Sequence, residues 1–155
     1  MVAMPKVTLN TDLNEGFCFG CGTNNPIGLK LKFTKDGEAL YTEFTPDKMH
    51  QGWPGLLHGG ILAALLDEAM SNAAYATGKT CLTAVMEIRQ RKPVGIEETL
   101  VITAWITRRR SKIIETAGKA CLKDGTTVAE STAKQFIAAN AAGQPDKVKE
   151  NRRHV

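Results

Sequence analysis

Residues 58–78 read HGGILAALLDEAMSNAAYATG, and this stretch decides the fold of the 155-residue chain. It contains no proline, and alanine and leucine, which favour helices, dominate it. Apolar residues recur every three or four positions with small residues between them, so we predict a helix from His58 to about Thr77, capped by Gly78. A helix that is apolar on nearly every side must be enclosed by other elements of the fold.

Alternating apolar and polar residues predict six strands around this helix. Two of them, Leu29–Thr34 and Leu40–Phe44, flank a tight turn and predict a hairpin before the helix. Four more follow it, at Cys81–Arg91, Leu100–Thr107, Ile113–Leu122 and Val128–Ala138. This order predicts an α+β fold in which a mainly antiparallel sheet of about six strands wraps around one long central helix.

The composition is typical of one globular domain, with 43% hydrophobic and 23% charged residues. We assign residues 16–139 to this domain, residues 1–15 to an N-terminal lead-in and residues 140–155 to a disordered tail. Turn-forming residues crowd positions 16–28, which predicts an ordered loop. No apolar run reaches membrane-spanning length and the N-terminus has no signal-peptide core, so we expect a cytoplasmic protein that does not bind a membrane.

Four cysteines, Cys18, Cys21, Cys81 and Cys121, raise the question of a metal site. Cys81 and Cys121 lie in strand-like runs and are expected to be small core residues. The pair Cys18-x-x-Cys21 could hold zinc, but zinc takes four ligands and the chain has no second C-x-x-C or H-x-x-x-H. Two chains could pool their pairs, yet a structural turn is the favoured interpretation, and we predict no metal and no cofactor.

Two glycines and one aspartate in the helix indicate a site. Gly59 and Gly60 at a helix start leave backbone N–H groups open to a ligand oxygen, at the positive end of the helix dipole. Close packing of the backbone on the sheet is the alternative explanation. Asp67 lies among leucines, where a carboxylate is costly unless it is paired or functional. An exposed edge or a satisfied buried carboxylate would also explain it.

The spacing of these features constrains the site. A helix rises ~1.5 Å per residue, so Asp67 lies about 12 Å along the axis from Gly59. One helix cannot bring both to the same carbonyl carbon, whereas two antiparallel copies related by a two-fold axis could. If both features serve one reaction, the site is shared between two subunits.

The motif His58-Gly59-Gly60 followed by Asp67, in a strand–strand–helix–four-strand chain, resembles the hot-dog fold acyl-CoA thioesterases, particularly the small phenylacetyl-CoA-type (PaaI-like) group. The segments Cys18-Phe19-Gly20-Cys21, Asn25-Pro26-x-Gly28-Leu29 and His50-Gln51-Gly52 are similar to one branch of that superfamily. The resemblance covers residues 16–139. It implies hydrolysis of an acyl-CoA to free acid and coenzyme A by a homodimer that assembles into a homotetramer.

The resemblance also implies roles for site residues. The Gly59 amide, with or without Gly60, would polarise the thioester carbonyl, and Asp67 of the partner subunit would be general base or nucleophile. His58 would orient the thioester, although a helix-capping histidine is an equal alternative. Gln51 lies near the position where related enzymes carry an Asn or Gln that helps to hold the water or the carbonyl, although the commonest spacing would place that residue at Gly52. Thr83 matches a position where some relatives carry a hydroxyl that binds water, and its strand propensity is the alternative explanation.

Basic residues near two strand ends suit the phosphates of coenzyme A, and a solvated basic hairpin is the alternative. They are Arg89 and Arg91 on one strand, and Arg108, Arg109, Arg110 and Lys112 in one turn. Few aromatic residues lie near this turn, which disfavours nucleic acid as a partner. Two other functions stay open: a hydratase or dehydratase acting on acyl thioesters, and a protein that binds acyl-CoA or an aromatic ligand without turnover.

Overall fold

The computed structural model describes residues 8–9 and 16–140. Its elements follow the predicted order, with short additions at both ends. In chain order they are β1 (Thr8–Leu9), β2 (Thr34–Asp36), β3 (Ala39–Phe44), a 3₁₀ turn (Lys48–His50), α1 (Gly59–Tyr75), β4 (Cys81–Gln90), β5 (Leu100–Arg109), β6 (Ile113–Leu122), β7 (Thr127–Ile137) and β8 (Ala139–Asn140).

The main sheet has six strands in the order β2-β3-β5-β6-β7-β4, and every neighbouring pair is antiparallel. Helix α1 packs across this sheet and contacts β3, β4, β5, β6 and β7. The predicted hot-dog architecture is therefore confirmed. Strand β4 follows the helix in sequence but lies at one edge of the sheet, where it pairs with β7.

One face of α1 forms the centre of the core. Its fully buried side chains include Leu65, Leu66 and Met70, which pack with Leu100 and Ile102 of β5. Each buried leucine contributes roughly 1.5–3 kcal/mol relative to an exposed one. The opposite face of α1, which includes Asp67, is only half-buried in a single chain.

The predicted strand at Leu29–Thr34 is wrong in its position. Side chains of residues 29–33 do alternate between buried and exposed, but only Thr34–Asp36 joins the sheet. The backbone amides of Leu29 and Leu31 donate instead to carbonyls of the preceding loop, those of Phe19 at 2.8 Å and Gly20 at 2.9 Å. The hairpin of β2 and β3 nevertheless forms, with Asp36 opposite Ala39.

The predicted lead-in and tail fall largely outside the described residues, which omit 1–7, 10–15 and 141–155. Within the predicted lead-in, β1 pairs in parallel with β8, Thr8 opposite Ala139 and Leu9 opposite Asn140. The disordered tail stays a prediction. In the part of the chain that the structure describes, α1 is the only α-helix, and no helix has the length and hydrophobicity needed to cross a membrane.

Candidate active site

The start of α1 presents one free backbone donor. His58 is the N-cap residue, and its Nδ1 accepts a hydrogen bond from the Gly60 amide at 2.8 Å. A Cβ at Gly60 would lie 2.9 Å from the His58 ring, so glycine is what lets the ring fold back over the helix start. The Gly59 amide has no hydrogen-bond partner among residues 8–9 and 16–140. It therefore points its hydrogen outward from the positive end of the helix dipole.

The segment before α1 places Gln51 beside this donor. Gln51 forms an isolated bridge with Leu57, and the His58 amide donates to the His50 carbonyl at 2.9 Å. The Oε1 atom of Gln51 accepts from the Gly55 amide at 3.1 Å. Its side-chain NH2 group has no partner in the described part of the chain.

Asp67 is held by a cluster of polar side chains that includes Ser71, Thr83 and Gln135, which we call the Asp67 cluster. Thr83 Oγ1 donates to Asp67 Oδ1 at 2.7 Å and lies 3.0 Å from Gln135 Oε1. Ser71 Oγ lies 3.2 Å from the same threonine oxygen. The half-buried carboxylate is thus paired with a hydroxyl and stays partly open to solvent.

The proton count in the Asp67 cluster decides the direction of its hydrogen bonds. Thr83 has one hydroxyl hydrogen, yet both Asp67 and Gln135 Oε1 lie within its reach. Gln135 is fully buried, and its Nε2 has no partner. Exchanging the two ends of this amide makes Nε2 the donor to Thr83, which then donates to Asp67. In this arrangement the buried Nε2 of Gln135 has a hydrogen-bond acceptor, and the Thr83 hydroxyl hydrogen is donated to the Asp67 carboxylate.

A bulge in β4 aims Thr83 at the helix. Thr83 pairs with Gln135 of β7, but the next paired residue on β4 is Val85, opposite Lys134, so Ala84 is an extra residue. Such bulges redirect neighbouring side chains and are common beside active sites. The bulge lies directly after the residue that contacts Asp67.

Two members of the Asp67 cluster, Ser71 and Gln135, are absent from the predicted site. Ser71 could have been found, because it lies four residues after Asp67 on the same helix face. Gln135 also left a signal, since it occupies an inward position of the predicted strand in the alternation that buries Ser131 and Ala133. Its contact with Thr83 spans 52 residues and is set by the pairing of β4 with β7.

The predicted phosphate-binding residues form two separate groups in one chain. Arg89 and Arg91 flank Gln90, whose Nε2 donates to the Gly59 carbonyl at 3.4 Å, so they lie near the helix start. The Lys112 carbonyl accepts a hydrogen bond from the Ile137 amide, so the turn that contains Lys112 lies at the opposite end of β7. That turn carries the other four basic residues: Arg108, Arg109, Arg110 and Lys112.

Some of these basic side chains are already paired. Arg91 forms a salt bridge with Glu130, and Arg110 Nε lies 3.6 Å from Glu115. Arg89 lies 4.0 Å from Glu87, and both side chains are mostly exposed, so this contact is weak. Arg108, Arg109 and Lys112 are exposed and have no ion pair within the described residues.

A single chain therefore contains two half-sites. Asp67 lies eight positions after Gly59 on the helix, a distance of about 12 Å along the axis. Two open grooves lie on the surface, one lined by residues near β2 and β3 and the other by β4–β7 residues. Neither groove is lined by Gly59 or Asp67.

The chain is similar in sequence to known thioesterases. Residues 54–129 match the family model of the thioesterase superfamily, which confirms the resemblance that the sequence motifs predicted. Acyl-coenzyme A thioesterase THEM4 of Bos taurus is 28% identical over 106 residues, covering 67% of this chain and 44% of the relative. The chain thus spans less than half the length of this curated relative.

Solved structures share the fold. A thioesterase superfamily protein has a TM-score of 0.68 and 26% identity, covering 73% of this chain and 58% of its own. A hypothetical thioesterase of Streptococcus pneumoniae, solved with coenzyme A, has a TM-score of 0.67 and 16% identity, covering 70% of this chain and 86% of its own. The PaaI protein of the E. coli phenylacetic acid degradation operon has a TM-score of 0.67 and 19% identity, with coverages of 73% and 84%.

Proposed function

We propose that this protein hydrolyses an acyl-CoA thioester to a free acid and coenzyme A. The observation that carries the proposal is the pairing of two features on one helix of a thioesterase-superfamily domain. The Gly59 amide is a free donor at the helix start, and the Asp67 carboxylate is oriented by Thr83. The first suits a developing oxyanion, and the second suits a base or nucleophile.

The chemistry assigns one task to each group. The Gly59 N–H donates to the thioester carbonyl oxygen and stabilises the negative charge that forms there. Asp67 either takes a proton from the attacking water or attacks the carbonyl carbon itself, forming an acyl anhydride that water then hydrolyses. In both routes the C–S bond breaks, coenzyme A leaves as a thiolate and takes up a proton, and the acid is released. We assign the NH2 group of Gln51 to a hydrogen bond with the carbonyl or the water.

We assign the two groups in each site to different subunits of a homodimer. A two-fold axis between antiparallel copies of α1 brings Gly59 of one subunit close to Asp67 of the partner subunit. Strand β4 supports this arrangement, because its outer edge pairs with no strand in residues 8–9 and 16–140 and Val85 is 46% exposed. Exposed strand edges are normally covered. Assembly of dimers into tetramers and a cytoplasmic location remain predictions.

The dimer also brings the two basic groups together. In one chain, Arg89 and Arg91 lie near Gly59, whereas Arg108–Lys112 lie at the far end of β7. Antiparallel pairing places the second group of one subunit near the helix start of its partner, so both can contact the phosphates of coenzyme A. The pneumococcal relative binds coenzyme A in its solved structure, which accords with this assignment.

Variants of that relative also accord with the assignment of Asp67 and Thr83. It was solved with an aspartate replaced by alanine and, separately, with a threonine replaced by alanine. The two replaced residues are as far apart in that chain as Asp67 and Thr83 are in this one.

A thiol-release assay with a panel of acyl-CoAs tests the proposed activity. We expect wild-type turnover and a fall in kcat of at least about 10²-fold in Asp67→Asn, because the amide cannot accept the proton or attack. Asp36→Asn is the matched control, since Asp36 is exposed on β2 and its side chain has no hydrogen bond or ion pair in the described residues. Full activity in Asp67→Asn would overturn the mechanism. Tight binding of coenzyme A without turnover of any thioester would instead indicate a ligand-binding protein.

The hydratase or dehydratase reading gains no support from the histidines of the described residues. His58 is engaged at the helix cap through Nδ1, and His50 contacts Asp47 at 3.0 Å. Neither contacts Asp67, whereas that chemistry commonly pairs a histidine with a carboxylate. Release of free coenzyme A, rather than a change in the acyl chain, is the product that separates the two activities.

A further inference from the structure

Two cysteines and a glutamate converge beside the helix, at a position separate from the thioester site. Their ligand atoms, Sγ of Cys18, Sγ of Cys21 and a carboxylate oxygen of Glu68, all lie within 4.8 Å of one another. Cys18 Sγ is 3.7 Å and 3.8 Å from the two Glu68 oxygens. The sequence alone offered only the two thiols. The fold supplies a third ligand, because residues 16–28 lie against α1.

The loop holds both sulfurs in place through its own backbone. The Gly22 amide donates to the Cys18 carbonyl at 2.8 Å, which closes the C-x-x-C turn. The amides of Leu29 and Leu31 donate hydrogen bonds to the carbonyls of Phe19 and Gly20, which fixes these two residues in the same turn. A Cβ at Gly20 would lie 2.3 Å from Glu68 Cδ, so this glycine is what allows the thiols to reach the carboxylate.

The charges around these atoms favour a cation. All three residues are half-buried, and each becomes anionic when deprotonated. Glu68 forms no ion pair in the described part of the chain, and its Oε1 accepts from the neutral amide of Asn72 at 3.0 Å.

We propose that Cys18, Cys21 and Glu68 form a zinc site within one chain, with water as the fourth ligand. Tetrahedral zinc with Zn–S of ~2.3 Å and Zn–O of ~2.0–2.2 Å separates adjacent sulfur and oxygen ligands by about 3.5 Å. The separation of Cys18 Sγ from Glu68 Oε1, 3.7 Å, is close to this value before any ion has drawn the ligands inward. Two thiolates select zinc over calcium or magnesium, which prefer oxygen.

The zinc ion ties the N-terminal loop to α1 one residue away from Asp67. Ions bind the deprotonated thiols, so occupation of the site releases the thiol protons to solvent. Because the ligands come from two segments about 50 residues apart, the ion stabilises the packing of residues 16–28 on the helix. The zinc proposal requires no contact between these three residues and the thioester. It therefore does not depend on the proposed activity.

Metal titration of the reduced, metal-free protein tests the site. We expect one Zn²⁺ per chain, and one Co²⁺ per chain with the thiolate-to-cobalt charge-transfer absorption of a tetrahedral site. Cys18→Ser and Cys21→Ser should lose this absorption, and Glu68→Gln should weaken binding at least about tenfold. Cys81→Ser and Cys121→Ser are matched controls, because these thiols lie in β4 and β6, and they should bind as the wild type does.

Wild-type protein alone provides a second measurement, which decides the question if a variant fails to fold. Zn²⁺ should protect two of the four thiols from a thiol-modifying reagent. Absence of Zn²⁺ and Co²⁺ binding, protection of no thiol, or binding that survives Cys18→Ser would each overturn the site. Half an ion per chain that is unaffected by Glu68→Gln would show a metal shared between two chains and would equally contradict the proposal.

Discussion

At the scale of single residues, the site depends on a difference in hydrogen bonding between two neighbouring backbone amides. The Gly60 amide donates to His58 Nδ1, whereas the neighbouring Gly59 amide has no partner among the residues that the structure describes. The resemblance predicts the Gly59 amide, with or without that of Gly60, as the carbonyl-polarising group. The sequence could not decide whether Gly60 takes part, because its partner depends on the side-chain rotamer of His58.

Replacement of Gly59 by proline removes this free amide with little disturbance of the fold. Proline is favoured at the first helical position, and His58 already has the extended backbone that precedes a proline, with φ −63° and ψ 131°. We expect kcat to fall by about 10²–10³-fold, as for loss of one oxyanion donor. Gly59→Ala is the control, since it adds the same Cβ near Gln90 but keeps the N–H. Equal activity in the two variants would disprove the role of the amide.

Gln135 should act on Asp67 through Thr83. Gln135→Leu removes the donor that directs the Thr83 hydrogen, and we expect kcat to fall about five- to tenfold with little change in KM, the effect of one hydrogen bond. In a Thr83→Val background the same substitution should have almost no further effect. Thr42→Val is the control, because it removes a buried hydroxyl that has no partner in the described residues. Additive losses of kcat in the double variant would show that Gln135 does not act through Thr83.

At the scale of elements, the start of α1 depends on an unusual cap. Histidine Nδ1 replaces the Ser, Thr, Asp or Asn oxygen that normally satisfies an early helix amide. The cap also fixes the approach of the preceding segment, since the His58 amide bonds to His50. The helix start and the loop that carries Gln51 are therefore one structural unit.

Substitutions at His58 distinguish capping from substrate orientation. His58→Ala should lower the free energy of unfolding by about 1 kcal/mol, the usual contribution of a cap. His58→Asn should retain that stability and most of the activity, because asparagine also caps helices. Thermal unfolding and kcat/KM measured together check this expectation. A stable but inactive His58→Asn would show that the ring itself orients the thioester.

Local patterns predicted most elements, and contacts over long distances explain where they failed. The helix and β3–β7 follow from periodicity, since each buries one face against the core. The strand predicted at Leu29–Thr34 fails because its amides bond to the loop at Phe19 and Gly20. Asp67 could be predicted because a carboxylate is unusual among the leucines of this helix. The contacts of Gln135 and Glu68 could not, because they depend on which distant segments pack together.

At the scale of the whole molecule, one chain holds two halves of different sites. The Gly59 end and the Asp67 end of α1 are too far apart to act on one carbonyl, and each has its own group of basic residues nearby. The half-buried face of α1 and the unpaired edge of β4 are the surfaces that a second copy would cover. The central claim is therefore that each thioester lies between two subunits.

Complementation between inactive variants tests this claim most directly. Gly59→Pro and Asp67→Asn proteins are purified separately, unfolded and refolded together, and assayed for thiol release. Each mixed dimer should contain one site with an intact Gly59 amide and an intact Asp67 of the partner subunit. With random pairing the mixture should recover about a quarter of wild-type activity, because half of the dimers are mixed and each has one working site. A mixture as inactive as its components would contradict the shared site.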